Sequence, residues 1–482
     1  MSNNAIFWFR QDFRLSDNIA LTQALKNHDN VYVIYIYDKE LGGKWKLGSA
    51  TKWWLHHTLK ALQNEVNINV IAGPTLLKLK EAARELKAKA IYANIVFEPS
   101  HLNLDEEISA IFEGTETQYI KCNSTLMFEP SNIKTKLGTT YTVFTPFWKN
   151  CMTTPPKAVP LPKPSGLDKC HVFTNTSVDN LGLLPTSPNW AVKFKPRWTP
   201  GEASAQQKLQ YFTKHTLKKY KSDRNIPGTL GTSRLSPHLH FGEVSHLQVW
   251  HAVEKCSVKN ENSAKYLKEI GWLEFSSYLL YYYPEITDHN FKKLYDDYKW
   301  DNNTKHFERW QKGMTGYPIV DAGMRELWAT GYMHNRVRMI VASFLIKHLQ
   351  IDWRKGAEWF WDTLIDADLA ANSMNWQWVA GSGPDAAQYY RIFNPILQGK
   401  KFDPEGKYVR AWVSELKKVP NEYVHEPWTM PMVLMTSMGI TAPKNYPTRV
   451  VDHDFARKLA LQNFKTHKSS KTSELPINDT KI

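Results

Sequence analysis

Cysteine is scarce in this chain of 482 residues. The four cysteines, Cys122, Cys151, Cys170 and Cys256, lie far apart and form no CxxC pair. Such spacing argues against a zinc site, an iron–sulfur cluster and a disulfide framework, so no metal is expected. Reduced thiols are typical of a cytoplasmic protein, and that is the predicted location.

Long apolar runs and phosphate-binding glycine motifs are also missing. No run approaches the roughly 20 apolar residues that a membrane-spanning helix needs, and the mean hydropathy is −0.48. The short apolar run in MSNNAIFWFRQDFR ends at Arg10 and predicts a buried first strand rather than a signal peptide. Because no GxGxxG follows that strand and no P-loop occurs, a standard dinucleotide or nucleoside triphosphate site is not expected there.

Acidic residues are outnumbered by basic ones. The chain has 61 Lys and Arg against 47 Asp and Glu, a net charge of +14. A surplus of this size suggests a polyanionic partner, either nucleic acid or an anionic membrane surface, although a merely basic surface gives the same count. No basic amphipathic anchor stands out, which disfavours the membrane.

The first 125 residues alternate strand and helix patterns. Strand patterns cover Ala5–Phe9, Val31–Tyr37, Ile68–Ile71, Ala90–Asn94 and Gln118–Lys121. Helical periodicity covers Asn18–Lys26, Ala50–Gln63, Thr75–Lys87 and Leu102–Phe112. This alternation predicts a five-stranded parallel sheet wound on both faces by helices.

The remainder of the chain divides by composition. Nine of the 26 prolines fall between Pro155 and Pro200, a density that neither a regular helix nor a central strand accepts. Beyond Gly201 the periodicity is helical, as in Ala264–Tyr282, Asp321–Ala329 and Arg336–Leu349. We therefore predict an α/β domain at 1–130, a proline-rich linker at 131–200, an all-helical domain at 201–465 and a frayed polar tail at 466–482.

One helix start carries features of a phosphate site. In TSRLSPHLHFGE, Ser236 is a favourable N-cap residue, and Pro237 occupies the first helical position. Thr232 and Ser233 add hydroxyl groups beside the free N–H groups of the helix start. The segment is compatible with phosphate binding, but taken alone it favours a plain capped helix.

Two further pairs share helical faces. Glu269 and Trp272 are three residues apart, and Asn335 and Met339 are four apart. A carboxylate, an indole, an amide and a thioether would suit a flat base that needs stacking and hydrogen bonds. Core packing with a solvated polar neighbour explains each pair alone.

The sequence resembles the photolyase and cryptochrome family over about 460 residues, from FWFRQDFRLSDN at 7–18 to FDPEGKYVRAW at 402–412. Shared motifs include TSRLSPHLHFGEVS at 232–245, GMTGYPIVDAGMREL at 313–327, GYMHNRVRM at 331–339, LIDADLAANSMNWQW at 364–378 and RIFNP at 391–395. The resemblance implies an N-terminal α/β domain, a linker and a helical domain that binds FAD.

The resemblance also implies a role for each site residue. Positions that hold the FAD diphosphate are matched by Tyr220, Thr232, Ser233, Leu235 and Ser236. Positions beside the flavin or the adenine are matched by Asp368, by the pair Arg338 and Asp366, and by Asn372, which faces flavin N5. The pocket for a flipped lesion is matched by Glu269, Trp272, Asn335, Met339 and Trp378. The tryptophan chain from the flavin to the surface is matched by Trp376, Trp353 and Trp300. Contacts to the DNA backbone are matched by Arg224, Arg336, Arg391 and Lys401.

In the family, excited reduced FAD donates an electron to a flipped pyrimidine dimer, which splits. Asn335 and Met339 replace the histidine pair of (6-4) photolyases, and Asn372 is the repair-type residue where cryptochromes carry Asp or Cys. DASH-type proteins have Gln at the position of Met339. We therefore expect a class I cyclobutane dimer photolyase that acts as a monomer on UV-damaged double-stranded DNA, with a blue-light photoreceptor and a DASH-type enzyme for single strands as alternatives.

The chain departs from the family pattern at four positions. Leu273 replaces a cationic residue in WLEF, and Tyr332 replaces Trp in GYMHN. Ile95 stands where many relatives have Arg, and Thr287 aligns with a lysine of folate-binding relatives. A second antenna chromophore, of folate or deazaflavin type, is therefore possible but unassigned.

Overall fold

The computed structural model describes residues 3–174, 176–256, 260–386, 391–439 and 446–473. The chain forms two compact units. The first comprises Met1–Asp223, Gly231–Pro284 and Trp361–Ala371, and the second comprises Arg224–Leu230, Glu285–Phe360 and Asn372–Ile482. The domain boundaries at 130, 200 and 465 divide the chain differently and stay predictions.

The first unit contains a five-stranded sheet. Its strands are β1 (Asn4–Phe9), β2 (Asn30–Tyr37), β3 (Ile68–Ala72), β4 (Ala90–Asn94) and β5 (Gln118–Cys122). All neighbouring pairs are parallel, in the order β3-β2-β1-β4-β5. Every residue of β1 is buried, as expected where helices cover both faces of a sheet. The predicted α/β fold is confirmed.

Helices alternate with the strands. They are α1 (Ile19–Asn27), α2 (Ser49–Gln63), α3 (Thr75–Glu85) and α4 (Pro99–Phe112), followed by α5 (Phe144–Cys151). α4 begins three residues before the predicted Leu102, because Pro99 fits the first turn, where its missing N–H is not needed. α3 ends at Glu85 rather than Lys87, whose φ of +48° is left-handed.

The chain after Gly201 is helical, as predicted. The helices are α6 (Glu202–Tyr211), α7 (Tyr220–Asp223), α8 (Ser236–His240), α9 (His246–Lys255), α10 (Glu261–Tyr282), α11 (Thr304–Gln311), α12 (Pro318–Thr330), α13 (Asn335–Ser343), α14 (Trp353–Thr363), α15 (Leu369–Ala380), α16 (Pro395–Phe402), α17 (Lys407–Trp412), α18 (Met432–Ser437) and α19 (His453–Ser473). Arg336–Leu349 was predicted as one helix, but α13 gives way to a π-helical turn at Phe344–His348. α19 runs through Ser473, so the predicted tail starts inside a helix, and residues 474–482 lie outside the described chain.

α10 packs closely against α5. A Cβ at Gly271 would lie 2.5 Å from the Trp148 ring. Since real Cβ contacts are longer, only glycine allows the indole to approach the helix backbone so closely. This contact fixes α5 beside the middle of α10.

A buried carboxylate joins distant parts of the first unit. Glu243 is fully buried and accepts hydrogen bonds from Trp54 Nε1 at 3.0 Å and from the Gly201 N–H at 2.7 Å. The Thr58 hydroxyl also donates to it, and His238 Nδ1 contacts its other oxygen. Buried polar groups are tolerated only when they are paired in this way.

Replacement of Glu243 by Ala should lower the free energy of unfolding by about 3–5 kcal/mol, because it leaves buried donors without an acceptor. Urea denaturation followed by tryptophan fluorescence measures the loss. Glu81→Ala is the matched control, since Glu81 pairs with Lys78 at the surface, where a pair contributes about 0–1 kcal/mol. Equal effects of the two substitutions would contradict the assignment of Glu243 as a structural centre.

Candidate functional site

The segment from Gly231 to Ser236 approaches α7 closely. A Cβ at Gly231 would lie 2.4 Å from the Asp223 carbonyl oxygen, so no larger residue fits there without a shift. Thr232 and Ser233 follow, both half-buried. The next residue, Arg234, has a φ of +52°, which turns the chain into α8.

The predicted N-cap role of Ser236 is wrong. α8 begins at Ser236, and Leu235, at the cap position, is already helical with φ −88° and ψ −6°. The Ser236 hydroxyl instead donates to Asp366 Oδ2 at 2.5 Å. The helix start offers this hydroxyl only N–H donors, whereas the Asp366 carboxylate is a charged acceptor for its proton. The structure therefore brings together two of the predicted FAD-binding residues.

Tyr220 begins α7 and is buried. Its ring packs edge-on against Phe212 and Tyr266, with centroids 5.8 and 5.1 Å apart. The buried Leu235 lies on the same unit. Both residues have packing roles whatever they bind.

Asp368 is held as a carboxylate. Burial acts to raise its pKa, but His240, whose Nδ1 lies 3.7 Å from Oδ2, and the Ala371 N–H, at 2.7 Å from Oδ1, lower it by more. The net pKa lies below the usual value. Asp368 is therefore negatively charged at neutral pH.

Glu269 and Trp272 lie one turn apart on α10, as predicted. Glu269 Oε1 forms an ion pair with Lys265 Nζ at 3.1 Å. The half-buried Trp272 stacks on Phe144, with ring centroids 3.8 Å apart and planes 11° apart. Phe144 was missed from the sequence, because nothing in its local pattern shows that α5 lies beside α10.

In the second unit, α13 carries the other predicted lesion contacts. Asn335 begins the helix and is exposed, and Met339 is half-buried one turn later. Trp378 is half-buried on α15. Arg338 Nε donates to the Met333 carbonyl at 2.7 Å, while its predicted pairing with Asp366 stays a prediction.

Predicted DNA contacts cluster in the second unit. The pKa of Arg336 is lowered by burial and then by the charges of Arg224 and Arg391, so the three side chains repel one another. Arg336 lies 4.5 Å over the Phe402 ring, and Lys401 lies 5.5 Å over the same ring. An Arg336 side-chain nitrogen donates to Asn225 at 2.8 Å, and within the described residues its buried Nε has no hydrogen-bond partner. We call Arg224, Arg336, Arg391 and Lys401 the arginine cluster.

The three predicted chain tryptophans also lie in the second unit. Trp376 is buried on α15, where its ring takes the space that a Cβ at Gly356 would fill. Trp353 is fully buried and donates from Nε1 to Asn290 at 3.0 Å. Trp300 is half-buried beside Tyr298, at 4.6 Å between centroids. Their exposure rises from Trp376 and Trp353 to Trp300.

Asn372 is oriented by its amide. Its Nδ2 donates to the Ala357 carbonyl oxygen at 3.0 Å. This bond ties α15 to α14 and sets the direction of the side chain. Trp376 lies on the same helix, one turn further on.

Membrane-spanning helices and metal-binding clusters are both absent from the described residues. No helix in that part of the chain has the length and apolar character to cross a membrane. No group of three or more His, Cys, Asp or Glu side chains among the same residues is arranged to hold a metal ion.

Known proteins resemble this chain over most of its length. Residues 266–466 match the family model for the FAD binding domain of DNA photolyase, and residues 5–165 match that for DNA photolyase. A deoxyribodipyrimidine photo-lyase of Agrobacterium fabrum is 44% identical over 464 residues, covering 95% of this chain and 96% of the relative. Cryptochrome-2 of Arabidopsis thaliana is 35% identical, covering 95% of this chain and 78% of the relative.

A solved structure gives the same result. The crystal structure of a bacterial class III photolyase from Agrobacterium tumefaciens has a TM-score of 0.91 and 42% identity, covering 97% of this chain and 98% of that one. The predicted family, enzyme type and FAD-binding domain are confirmed, while the predicted class I assignment stays a prediction. The chain belongs to the DNA photolyase and cryptochrome family.

Proposed function

We propose that this protein is a light-driven deoxyribodipyrimidine photolyase that splits cyclobutane pyrimidine dimers in UV-damaged double-stranded DNA. The observation that carries the proposal is the arginine cluster. Arginines that repel one another, one of which has an Nε without a hydrogen-bond partner in the described part of the chain, gain most from a ligand with several negative charges. Arg336 lies on α13 next to Asn335, which links phosphate binding to a base contact on one helix.

The lesion contacts follow from the side chains. Trp272 is held flat by Phe144 and offers an aromatic plane on which an extruded base can stack. Glu269 would accept hydrogen bonds from the bases, and Asn335, Met339 and Trp378 would contact the lesion. A dimer stacks poorly in a duplex, which lowers the cost of flipping it out.

The residues that the chain provides fit FAD. Only glycine fits at position 231, so the backbone there has no side chain beside the hydroxyls of Thr232 and Ser233. An exposed backbone with neighbouring hydroxyls suits the binding of a diphosphate. Tyr220, Leu235 and Ser236 would complete that binding region. Arg338, Asp366, Asp368 and Asn372 would contact the flavin and the adenine. When bound, FAD supplies light-driven one-electron chemistry.

The finer assignments belong to the same proposal. The protein would act as a monomer in the cytoplasm, and a second antenna chromophore of folate or deazaflavin type could extend its absorption. The rivals are a photoreceptor and a DASH-type enzyme. Incubation of dimer-containing duplex and single-stranded oligonucleotides in blue light and in darkness separates all three. Light-dependent repair of the dimer in the duplex supports the proposal. Repair confined to the single-stranded substrate, or no repair, overturns it.

Lys401→Ala should reduce the slope of log affinity against log salt by about 0.9, because one phosphate contact is lost. Filter binding of a dimer-containing duplex at several salt concentrations measures the slope. Lys400→Ala is the matched control, since Lys400 already pairs with Glu426 and should change the slope less. A slope unaffected by Lys401→Ala would exclude this residue from the DNA interface.

Trp272→Ala should cost about 1–3 kcal/mol of binding to the lesion, the range for stacking of a base on an aromatic ring.

Glu269→Ala should instead lower the quantum yield of repair more than the affinity, because its field matters most once the dimer has gained charge. Lys265→Ala, which removes only the ion-pair partner, serves as the control. Equal losses of yield and affinity would make Glu269 a ground-state contact.

Trp376→Phe should fold and bind FAD but fail to support photoreduction of oxidised flavin with an external donor, because phenylalanine is much harder to oxidise than tryptophan. Trp300→Phe should show a milder defect. Absorbance during blue illumination reports both, and Trp198→Phe provides a buried tryptophan elsewhere as the control. Normal photoreduction in Trp376→Phe would mean that the three tryptophans serve packing.

A further inference from the structure

The most exposed large apolar side chain among the described residues lies outside the sites described above. Leu137 is 89% exposed, at the tip of the segment Thr135–Thr139, which we call the Leu137 turn. Single exposed apolar residues are common on protein surfaces and need no explanation by themselves. Three further properties distinguish this one.

The Leu137 turn is held in one shape. The Thr135 N–H donates to the Thr139 carbonyl, and the Gly138 N–H donates to the Thr135 carbonyl, both at 2.9 Å. The hydroxyls of Thr135 and Thr139 are 2.7 Å apart. Gly138 has a φ of +76°, which this tight turn requires. Leu137 is therefore presented by an ordered backbone.

The segment that carries the turn is hydrogen-bonded to α10. Tyr278 Oη donates to the Ile133 carbonyl at 3.1 Å and accepts from the Tyr141 N–H at 2.9 Å. The Thr140 hydroxyl lies 2.6 Å from the Tyr283 hydroxyl, just after the end of the helix. The segment then enters α5, whose first residue Phe144 stacks on Trp272. The turn and the proposed lesion contact thus share one rigid support.

The segment that carries the turn is basic in sequence. Between Glu129 and Asp168 the chain has five lysines and no acidic residue, and two of these lysines, Lys134 and Lys136, flank the turn. Lys134 lies 4.1 Å over the Tyr282 ring, and Lys136 is exposed beside Leu137. An apolar tip flanked by cations suits a ligand that combines phosphates with stacked apolar bases.

We propose that the Leu137 turn is a second DNA-binding element: Leu137 wedges against a base step of the duplex beside the lesion, while Lys134 and Lys136 contact phosphates. The inference rests on the proposed function. Ten residues of α10 from Trp272 to Tyr282 span about 15 Å, or about four steps of 3.4 Å along a DNA strand. Proteins that kink DNA insert leucine between base steps in this way, and the strain would favour flipping of the lesion.

The wedge is tested with Leu137→Ser, with Leu137→Met as the conservative variant and Leu77→Ser as the control, since Leu77 is 51% exposed on α3. Affinity is measured for dimer-containing duplex and single-stranded oligonucleotides. Unstacking is measured with 2-aminopurine placed one to six base pairs from the dimer. Thermal unfolding shows whether each variant keeps its fold.

The expected result is about tenfold weaker binding of the duplex by Leu137→Ser, equivalent to the loss of part of one buried leucine, and lower 2-aminopurine fluorescence. Binding of the single-stranded lesion should stay unchanged, and Leu137→Met should behave as the wild type. Lys134→Gln with Lys136→Gln should lower the salt slope by about 1.8, whereas the paired Lys78 and Lys89 should contribute less.

Three outcomes separate the hypotheses. Wild-type protein that binds and repairs the duplex, together with a Leu137→Ser variant of equal affinity and fluorescence, overturns the wedge and leaves the photolyase proposal intact. Wild-type protein without affinity for dimer-containing DNA overturns both. Unchanged DNA binding by the variant, with weaker binding to vesicles of phosphatidylserine and phosphatidylcholine, would assign the turn to a membrane surface and also overturn the wedge.

Discussion

The contact between Gly271 and the Trp148 ring is the constraint on which the first unit's proposed site depends. Any side chain at position 271 would push α5 away from α10. α5 in turn holds Phe144 against Trp272 and forms the end of the segment that carries the Leu137 turn. The lack of a side chain at Gly271 therefore determines both the orientation of the Trp272 indole and the position of the Leu137 turn. Interiors are packed densely enough to transmit such a constraint.

The arginine cluster destabilises the folded protein electrostatically. Like charges held close together and partly removed from water are unfavourable, and both effects lower the pKa of Arg336. The rings of Phe402 and Phe393 offset part of the cost through cation–π contacts with Arg336, Lys401 and Arg391. A bound polyanion would relieve this repulsion, and the recognition would then depend on charge rather than on base sequence.

Local patterns were sufficient for the α/β part of the fold. Short runs of β-forming residues between helical patterns placed all five strands to within one residue at each end, because both signals lie in neighbouring residues. The π-helical turn at Phe344–His348 was not predictable in this way, since its apolar spacing is close to that of an α-helix. Ser236 shows the other limit: its hydroxyl pairs with Asp366, 130 positions away, and no local rule for helix caps includes such a partner.

For the site residues too, some features follow from local sequence patterns and others do not. Helical spacing alone placed Glu269 with Trp272 and Asn335 with Met339 on common faces, and the structure has both pairs one turn apart. Their assignment to FAD, lesion and DNA came from the family resemblance, because spacing does not identify a ligand. Neither helical spacing nor the family resemblance pointed to Phe144. Its stacking on Trp272 depends on the approach of two helices that are more than 100 residues apart in sequence.

The hydrogen bonds of Glu243 have a consequence for the order in which the chain can fold during synthesis. Trp54 and Gly201 leave the ribosome before their acceptor exists, and the last segment of the same unit ends at Ala371, 148 residues after Asp223. At about 5–20 residues per second, that delay lasts roughly 7–30 s. The nascent sheet must remain soluble throughout it with part of its polar and apolar surface uncovered. Until the last segment is made, the unit lacks its final non-local contacts, and exposed apolar surface of this kind is prone to aggregation.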